Sequence, residues 1–343
     1  GGMVSPALKK EFQREGIDLI PLAGGVQRML QEMAAPPNTP VETIIGVTLP
    51  QAADTKIQET EKDQRRDDLS LLVKHQVDTE CYRIVASHVL DGRPVVPFAL
   101  MAEWLGHGAL HGNPGLYLHG LDDMRLFNGI KLDQEKKTIR LLAGKAVKAD
   151  NTFAVDVQIR NGRHPDGSEF IHSSARAILT DQWVSPPKLN GEADIAVRPY
   201  HRDLAEVYEK ILFHGNDLRG ITRITGYSDQ GIIAEVSSAP SPMQWIARPL
   251  RSRWIADPLV LDSAFQLAII WCYETKGTVS LPSYAASYRQ YRDRFPDQGV
   301  RTILKVNHAT DSKMTGDFTF VDANDEIIAK LSGYEAVMDT GLQ

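Results

Sequence analysis

His88, Asp262 and Gln266 are the residues whose types and spacing could do chemistry. His88 ends a β-like run at 81–87. Gly92 then gives a flexible turn, and Pro97 stands where a helix can begin, because a first turn does not need its missing N–H. Leu100, Met101, Trp104 and Leu105 recur at helical spacing after it. A base at a strand end, facing a helix N-terminus across a glycine turn, suits a thioester or other polarised carbonyl, since free N–H groups there can hold a developing oxyanion. Asp262 and Gln266 are four residues apart in an apolar helix expected over 257–271, with Pro258 in its first turn, so they share one face. A carboxyl group on that face is desolvated, which raises its pKa and keeps it protonated near neutral pH. A neutral histidine and a protonated aspartate are the pair that β-elimination of water requires. One takes the proton α to the thioester, and the other gives a proton to the departing hydroxyl.

Four short patterns, in order along the chain, resemble those of polyketide-synthase-type dehydratase domains. The first is His-x-x-x-Gly-x-x-x-x-Pro, met by His88, Gly92 and Pro97. The second is the loop His214-Gly215-Asn216-Asp217-Leu218, similar to (Tyr or His)-Gly-Pro-x-(Phe or Leu), with Asn216 where proline is usual. The third is Asp-x-x-x-Gln at Asp262 and Gln266, preceded by Asp257-Pro258 as a variation on His-Pro. The fourth is Leu281-Pro282, like a Leu-Pro-Phe strand start, with Ser283 in place of the aromatic. The resemblance spans roughly 75–337. It implies His88 as base, Asp262 as acid and Gln266 as the group orienting Asp262. It also implies that Gly92, Pro97, His214, Gly215, Leu281 and Pro282 line the substrate path. The substrate implied is a β-hydroxyacyl chain on the phosphopantetheine arm of an acyl carrier protein, with no other cofactor.

The elements that must position these groups form a pattern that occurs twice. After the first helix come strand candidates at 116–126, 138–147, 152–159 and 169–179, with turns expected at Asn161-Gly162 and Asp166-Gly167. A proline-bearing stretch at 182–199 interrupts. A helix at 204–212, strands at 220–227 and 231–236, the long helix, and strands at 302–307, 316–321 and 327–336 follow. Helix plus antiparallel strands, twice, is expected to give an α+β double hot-dog: two antiparallel sheets, each wrapped on a long helix. The first hot-dog is placed at 72–181 and the second at 200–343, joined by 182–199. Residues 1–50 read as a short, mostly helical extension; Gly16-Ile17 and Ile20-Pro21 within it resemble the tail of a ketoreductase domain. A charged linker is expected over 51–71. A ketoreductase tail ahead of a dehydratase is the order of polyunsaturated-fatty-acid and enediyne type iterative synthases. The implied partners are therefore neighbouring synthase domains and a second copy of the chain.

Composition narrows the field. The chain has 343 residues, 42% hydrophobic and 24% charged, with a net charge of −6, which gives no general pull toward nucleic acid or anionic membrane. No apolar run approaches a bilayer span, and the N-terminus lacks a basic region followed by an apolar core. Gly1-Gly2 reads as an addition ahead of Met3. Two cysteines, Cys81 and Cys272, make neither a disulfide framework nor a metal set, so a reducing cytoplasmic setting is expected. His107 and His111 have the i, i+4 spacing of a metal pair. No Glu or Cys sits suitably beside them, and Gly106 and Gly108 suggest a fraying helix end, so no metal site is expected. Two rival readings share the fold: a product-template-like cyclase, and a non-catalytic module that only binds carrier proteins.

Overall fold

A computed structural model of the protein describes residues 69–338, except 133–135, 164–166, 168 and 190–194. The readings at 1–50 and at Asp166 lie outside the described residues. The first half contains β1 (Ser70–Val77), β2 (Val89–Leu90), β3 (Arg93–Pro94), α1 (Phe98–His111), β4 (Tyr117–Leu126), β5 (Lys137–Ala143), β6 (Val147–Ala149), β7 (Thr152–Arg163) and β8 (Glu169–Thr180). The second contains α2 (Leu204–Lys210), β9 (Ile221–Ser228), β10 (Gly231–Val236), α3 (Pro242–Trp245), α4 (Pro258–Lys276), β11 (Ser280–Gln290), β12 (Val300–Ala309), β13 (Lys313–Val321) and β14 (Ile327–Met338). Each half wraps antiparallel strands around one long helix, the double hot-dog arrangement. β1 opens two residues inside the stretch read as linker.

The two sheets do not stay separate. β4 pairs with β11, so twelve strands form one continuous sheet ordered β1-β5-β7-β8-β4-β11-β14-β13-β12-β10-β9, with β6 on β7. The seam needs a residue without a side chain at Gly120. A Cβ there would lie 2.0 Å from the Tyr288 carbonyl oxygen. Side chains tie the seam as well. Arg289 clamps both oxygens of Asp122 at 2.5 and 3.0 Å, and Tyr284 donates to Asp123 Oδ1 at 2.8 Å.

The long helices are apolar nearly all round, which is the mark of helices enclosed on every side. In α1 every residue from Phe98 to Leu110 is buried, and in α4 every residue from Pro258 to Cys272. The two pack on each other, with Phe98 stacked on Phe265 at 5.9 Å. α1 carries its glycines in the interior instead of fraying. A Cβ on Gly106 would lie 2.9 Å from Leu118, so that glycine lets β4 approach. α4 starts where Asp257 accepts from the Leu259 and Val260 N–H groups, and it ends at Gly277 with φ +67°.

Three local expectations are corrected. The run at 81–87 is not a strand: Arg83–Ser87 is a 3₁₀ helix. Asp78 Oδ1 accepts from the Glu80 and Cys81 N–H groups at 3.0 and 2.6 Å, which turns the chain before a strand can form. Asn161-Gly162 is not a turn but a bulge inside β7, with Gly162 at φ +63°. The strand expected over 138–147 is split, with β5 ending at Ala143 and β6 starting at Val147. Among the described residues no helix is long and apolar enough to cross a membrane.

Candidate active site

The spacing of the first pattern becomes intelligible once the hairpin β2–β3 is in place. Asp91 and Gly92 both have positive φ, +51° and +71°, which makes a two-residue hairpin turn of the primed type. That turn sets Leu90 opposite Arg93 and Val89 opposite Pro94. One step further on, Val95 N–H donates to the His88 carbonyl at 2.9 Å, and His88 Nδ1 reaches the Val95 carbonyl at 2.9 Å. A carbonyl only accepts, so Nδ1 carries the proton and Nε2 keeps its lone pair. Gly92 itself is exposed at the hairpin tip, where a Cβ would meet nothing. Its observed contribution is the turn. Pro97 stands one position earlier than expected: it caps α1 rather than beginning it, and its carbonyl accepts from Leu100 and Met101 at 3.0 and 3.1 Å.

The loop of the second pattern lies directly against this segment. His88 and His214 form an isolated antiparallel bridge, and Gly215 N–H donates to the Ser87 carbonyl at 2.7 Å. Gly215 packs tightly here, since a Cβ would lie 3.0 Å from Ser87 Cα. Ser87 Oγ donates to Asp217 Oδ2 and accepts from Asp217 N–H, both at 3.2 Å, which fixes the loop in place of the usual proline. The His88 and His214 rings are 5.3 Å apart, and Phe213 stacks on His214 at 4.2 Å.

α4 completes the cluster. Ligand-type atoms of His88, His214 and Asp262 all lie within 4.8 Å of one another. His214 Nε2 is 3.4 Å from Asp262 Oδ2. Gln266 Nε2 donates to that same oxygen and to the Leu218 carbonyl, each at 2.8 Å. Behind Gln266 stands Tyr208 of α2, which sequence reasoning missed. Its hydroxyl donates to Gln266 Oε1 at 3.0 Å and accepts from the Ile221 N–H at 3.1 Å. Tyr208 therefore fixes which end of the Gln266 amide faces Asp262. Only its place on a short amphipathic helix marks it in the sequence. Leu281 and Pro282 lie elsewhere, at the start of β11 against β14. The neighbouring Ser280 faces Cys272, ten residues from Asp262 along α4 and so about 15 Å away.

Burial sets the charges. His88, His214 and Asp262 are 8%, 4% and 2% exposed. Desolvation lowers His88 to about 4, against the pull of its Val95 hydrogen bond. It raises Asp262 to about 7, against the hydrogen bond from Gln266. His214 is held well below the ordinary histidine range by burial and then by His88. With His214 neutral, its 3.4 Å contact with Asp262 is not an ion pair. Between about pH 4 and 7 the cluster holds a neutral imidazole with a free Nε2 beside a protonated carboxyl group.

A second buried carboxylate, Glu103 of α1, also escaped the sequence reading, although a lone acid among enclosed residues signals a built partner. Its oxygens accept from the Ile255 N–H at 3.0 and 2.8 Å and from the Ala256 N–H at 2.6 Å. It thus ties α1 to the segment entering α4. His107, one turn on, accepts from Arg251 Nε at 3.0 Å.

Tyr208→Phe is expected to slow turnover about tenfold with KM little changed, because one neutral hydrogen bond is worth about 1 kcal/mol. A kcat unchanged in a folded variant would show that Gln266 holds its orientation unaided.

Comparison with known proteins agrees with this geometry. A family model described as the polyketide synthase dehydratase N-terminal domain matches residues 187–339, a span that takes in His214, Asp262 and Gln266 but not His88. A polyunsaturated fatty acid synthase polypeptide of Thraustochytrium sp. is 27% identical over 317 residues, which is 90% of this chain and 10% of that protein. The chain thus spans about a tenth of the length of this relative. Among solved structures, the dehydratase domain from the CurF module of curacin polyketide synthase superposes with a TM-score of 0.65 at 16% identity, covering 80% of this chain and 95% of that one. The dehydratase domain of a mycocerosic acid synthase-like polyketide synthase gives 0.61 at 18%, covering 77% and 88%. Identities this low carry the fold alone. Residues 187–339 thus match the polyketide synthase dehydratase family model, and the two hot-dog halves share the fold of the solved dehydratase domains.

Proposed function

We propose that the domain removes water from a β-hydroxyacyl thioester to give a 2-enoyl thioester, as a hydro-lyase of polyketide or polyunsaturated fatty acid synthesis. The acyl chain is presented on the phosphopantetheine arm of an acyl carrier protein domain. The chain works as a homodimer among neighbouring synthase domains in the cytoplasm, and the reaction needs no other cofactor. One observation carries this reading: a bare imidazole nitrogen and a protonated carboxyl group share one buried site, with opposite pKa displacements. In this scheme His88 Nε2 takes the proton from Cα. Electrons from the C–H bond form the Cα–Cβ double bond, and the Cβ–O bond breaks. Asp262 gives its proton to the leaving hydroxyl, which departs as water. Imidazolium and carboxylate remain, and proton return restores the starting pair. Gln266, held by Tyr208, keeps Asp262 aimed. The test is incubation with a β-hydroxyacyl carrier thioester, and the expected result is a product lighter by one water. Turnover of a polyketone to a cyclised product, with no water lost from the hydroxyacyl substrate, would replace this reading with a cyclase.

The pH dependence follows from the same pair. The active form needs His88 neutral, which is lost as pH falls through about 4, and Asp262 protonated, which is lost as pH rises through about 7. kcat/KM should therefore be bell-shaped with limbs near those values. A profile flat across this range, with chemistry shown to be limiting, would contradict the scheme.

A further inference from the structure

We propose that His88, His214 and Asp262 together form a binding site for a divalent transition ion of the zinc type, and that occupation of this site stops the elimination. The second clause rests on the function proposed above; the first does not.

The donor set is two imidazoles and one carboxylate, which suits zinc and its neighbours in the first transition row rather than magnesium or calcium. The spacing fits as well. Ligands about 2.0–2.1 Å from a tetrahedral ion are about 3.3 Å apart. His214 Nε2 and Asp262 Oδ2 are 3.4 Å apart, and one ligand atom from each of His88, His214 and Asp262 lies within 4.8 Å of the others.

Two of the three ligands, His88 and Asp262, are braced from behind in the manner of a metal site. His88 gives its Nδ1–H to the Val95 carbonyl at 2.9 Å, which leaves Nε2 for the ion. Asp262 accepts from Gln266 at 2.8 Å, and Gln266 is itself pinned by Tyr208 and by the Leu218 carbonyl. His214 stands on a loop hydrogen-bonded to Ser87 through Gly215 and Asp217. Its Nδ1 has no partner, so an ion on Nε2 replaces the 3.4 Å contact with Asp262 and leaves the Nδ1–H unpaired. The other histidine pair differs. His107 and His111 have ring centres 5.8 Å apart, His107 Nδ1 is taken by Arg251, and among the described residues they complete no three-ligand set.

His214 is what turns an acid–base pair into a three-ligand set. The pattern noted in the sequence admits tyrosine or histidine at this position, and with tyrosine a single imidazole would remain. An ion on His88 Nε2 occupies the lone pair that must take the substrate proton, so metal and elimination exclude each other.

The test is calorimetric titration of zinc chloride into the metal-free chain, with His214→Tyr, Asp262→Asn and His111→Ala alongside and folding checked by circular dichroism. One ion per chain is expected, bound at micromolar concentration or tighter. Affinity should fall at least about a hundredfold in His214→Tyr and in Asp262→Asn, and should be unchanged in the exposed His111→Ala. Cobalt should give an intense tetrahedral visible spectrum that His214→Tyr removes. Zinc should also block water loss from a β-hydroxyacyl thioester, reversibly by chelator. Absence of binding below millimolar zinc, or binding that survives both ligand variants, would overturn the site. Binding as expected in a chain that never dehydrates would leave the metal site standing and remove the dehydratase reading instead. Dehydration indifferent to bound zinc would show that the ion does not take the catalytic lone pair.

Discussion

His88→Ala is expected to lower single-turnover dehydration by about a hundredfold to ten-thousandfold or more, while the domain stays folded. Among the described residues, no other group near Asp262 offers a nitrogen lone pair fixed in the same way. His214 is close, but its ring has no carbonyl on Nδ1 to settle which nitrogen carries the proton. The substitution has a structural cost too, because His88 is buried, lies against Phe213 at 5.1 Å and pairs with the Val95 carbonyl. Losing that hydrogen bond and leaving a small void should cost about 1–3 kcal/mol, less than the stability of an ordinary domain. Thermal melting separates the two effects. A well-folded His88→Ala chain that turns over normally would remove His88 from the mechanism. His88→Gln, which keeps a donor for Val95 and has no basic nitrogen, should be equally inactive and more stable.

Asp262→Asn is expected to cost about a hundredfold to ten-thousandfold, roughly 3–5 kcal/mol of barrier, because the hydroxyl must then leave unassisted. The shape is kept, since the amide oxygen still accepts from Gln266. Any residual rate should lose its alkaline limb, a change that a purely structural defect would not produce. Gln266→Ala should fall about tenfold if Gln266 only orients Asp262, with a stability loss as well. That loss follows because the Tyr208 hydroxyl and the Leu218 carbonyl both lose a buried partner. Single-turnover rates on one β-hydroxyacyl carrier substrate give the ranking. If Asp262→Asn costs less than Gln266→Ala, Asp262 is not the acid and the two-residue mechanism fails.

Much of the site could be read before any coordinates. The hairpin glycine, the proline at the head of α1 and the four-residue step from Asp262 to Gln266 are short-range features, set by backbone stereochemistry and helical pitch. For the same reason the long helices and most strands fall where periodicity puts them. The local errors share one cause: a side chain or a neighbouring strand outweighed propensity. Asp78 turned a β-rich run into a 3₁₀ helix, and pairing with β8 carried β7 through Asn161-Gly162.

The sequence by itself determined which residues could do acid–base work, that two helices would be enclosed by strands, and that the interior of α4 would desolvate its carboxyl group. Tertiary structure alone decided what meets what. It joined the two sheets through β4 and β11, where Gly120 permits contact. It brought His214 against both His88 and Asp262, so that a residue read as substrate-binding stands inside the acid–base cluster. It supplied Tyr208 to Gln266 across 58 positions and the Ile255 and Ala256 amides to Glu103 across 152 and 153. These contacts have no local signature, because each depends on where closure of a whole hot-dog half carries a distant segment. The physical reason is range: turn geometry and helical pitch act over a few residues, whereas partner choice in a buried site is fixed only by packing.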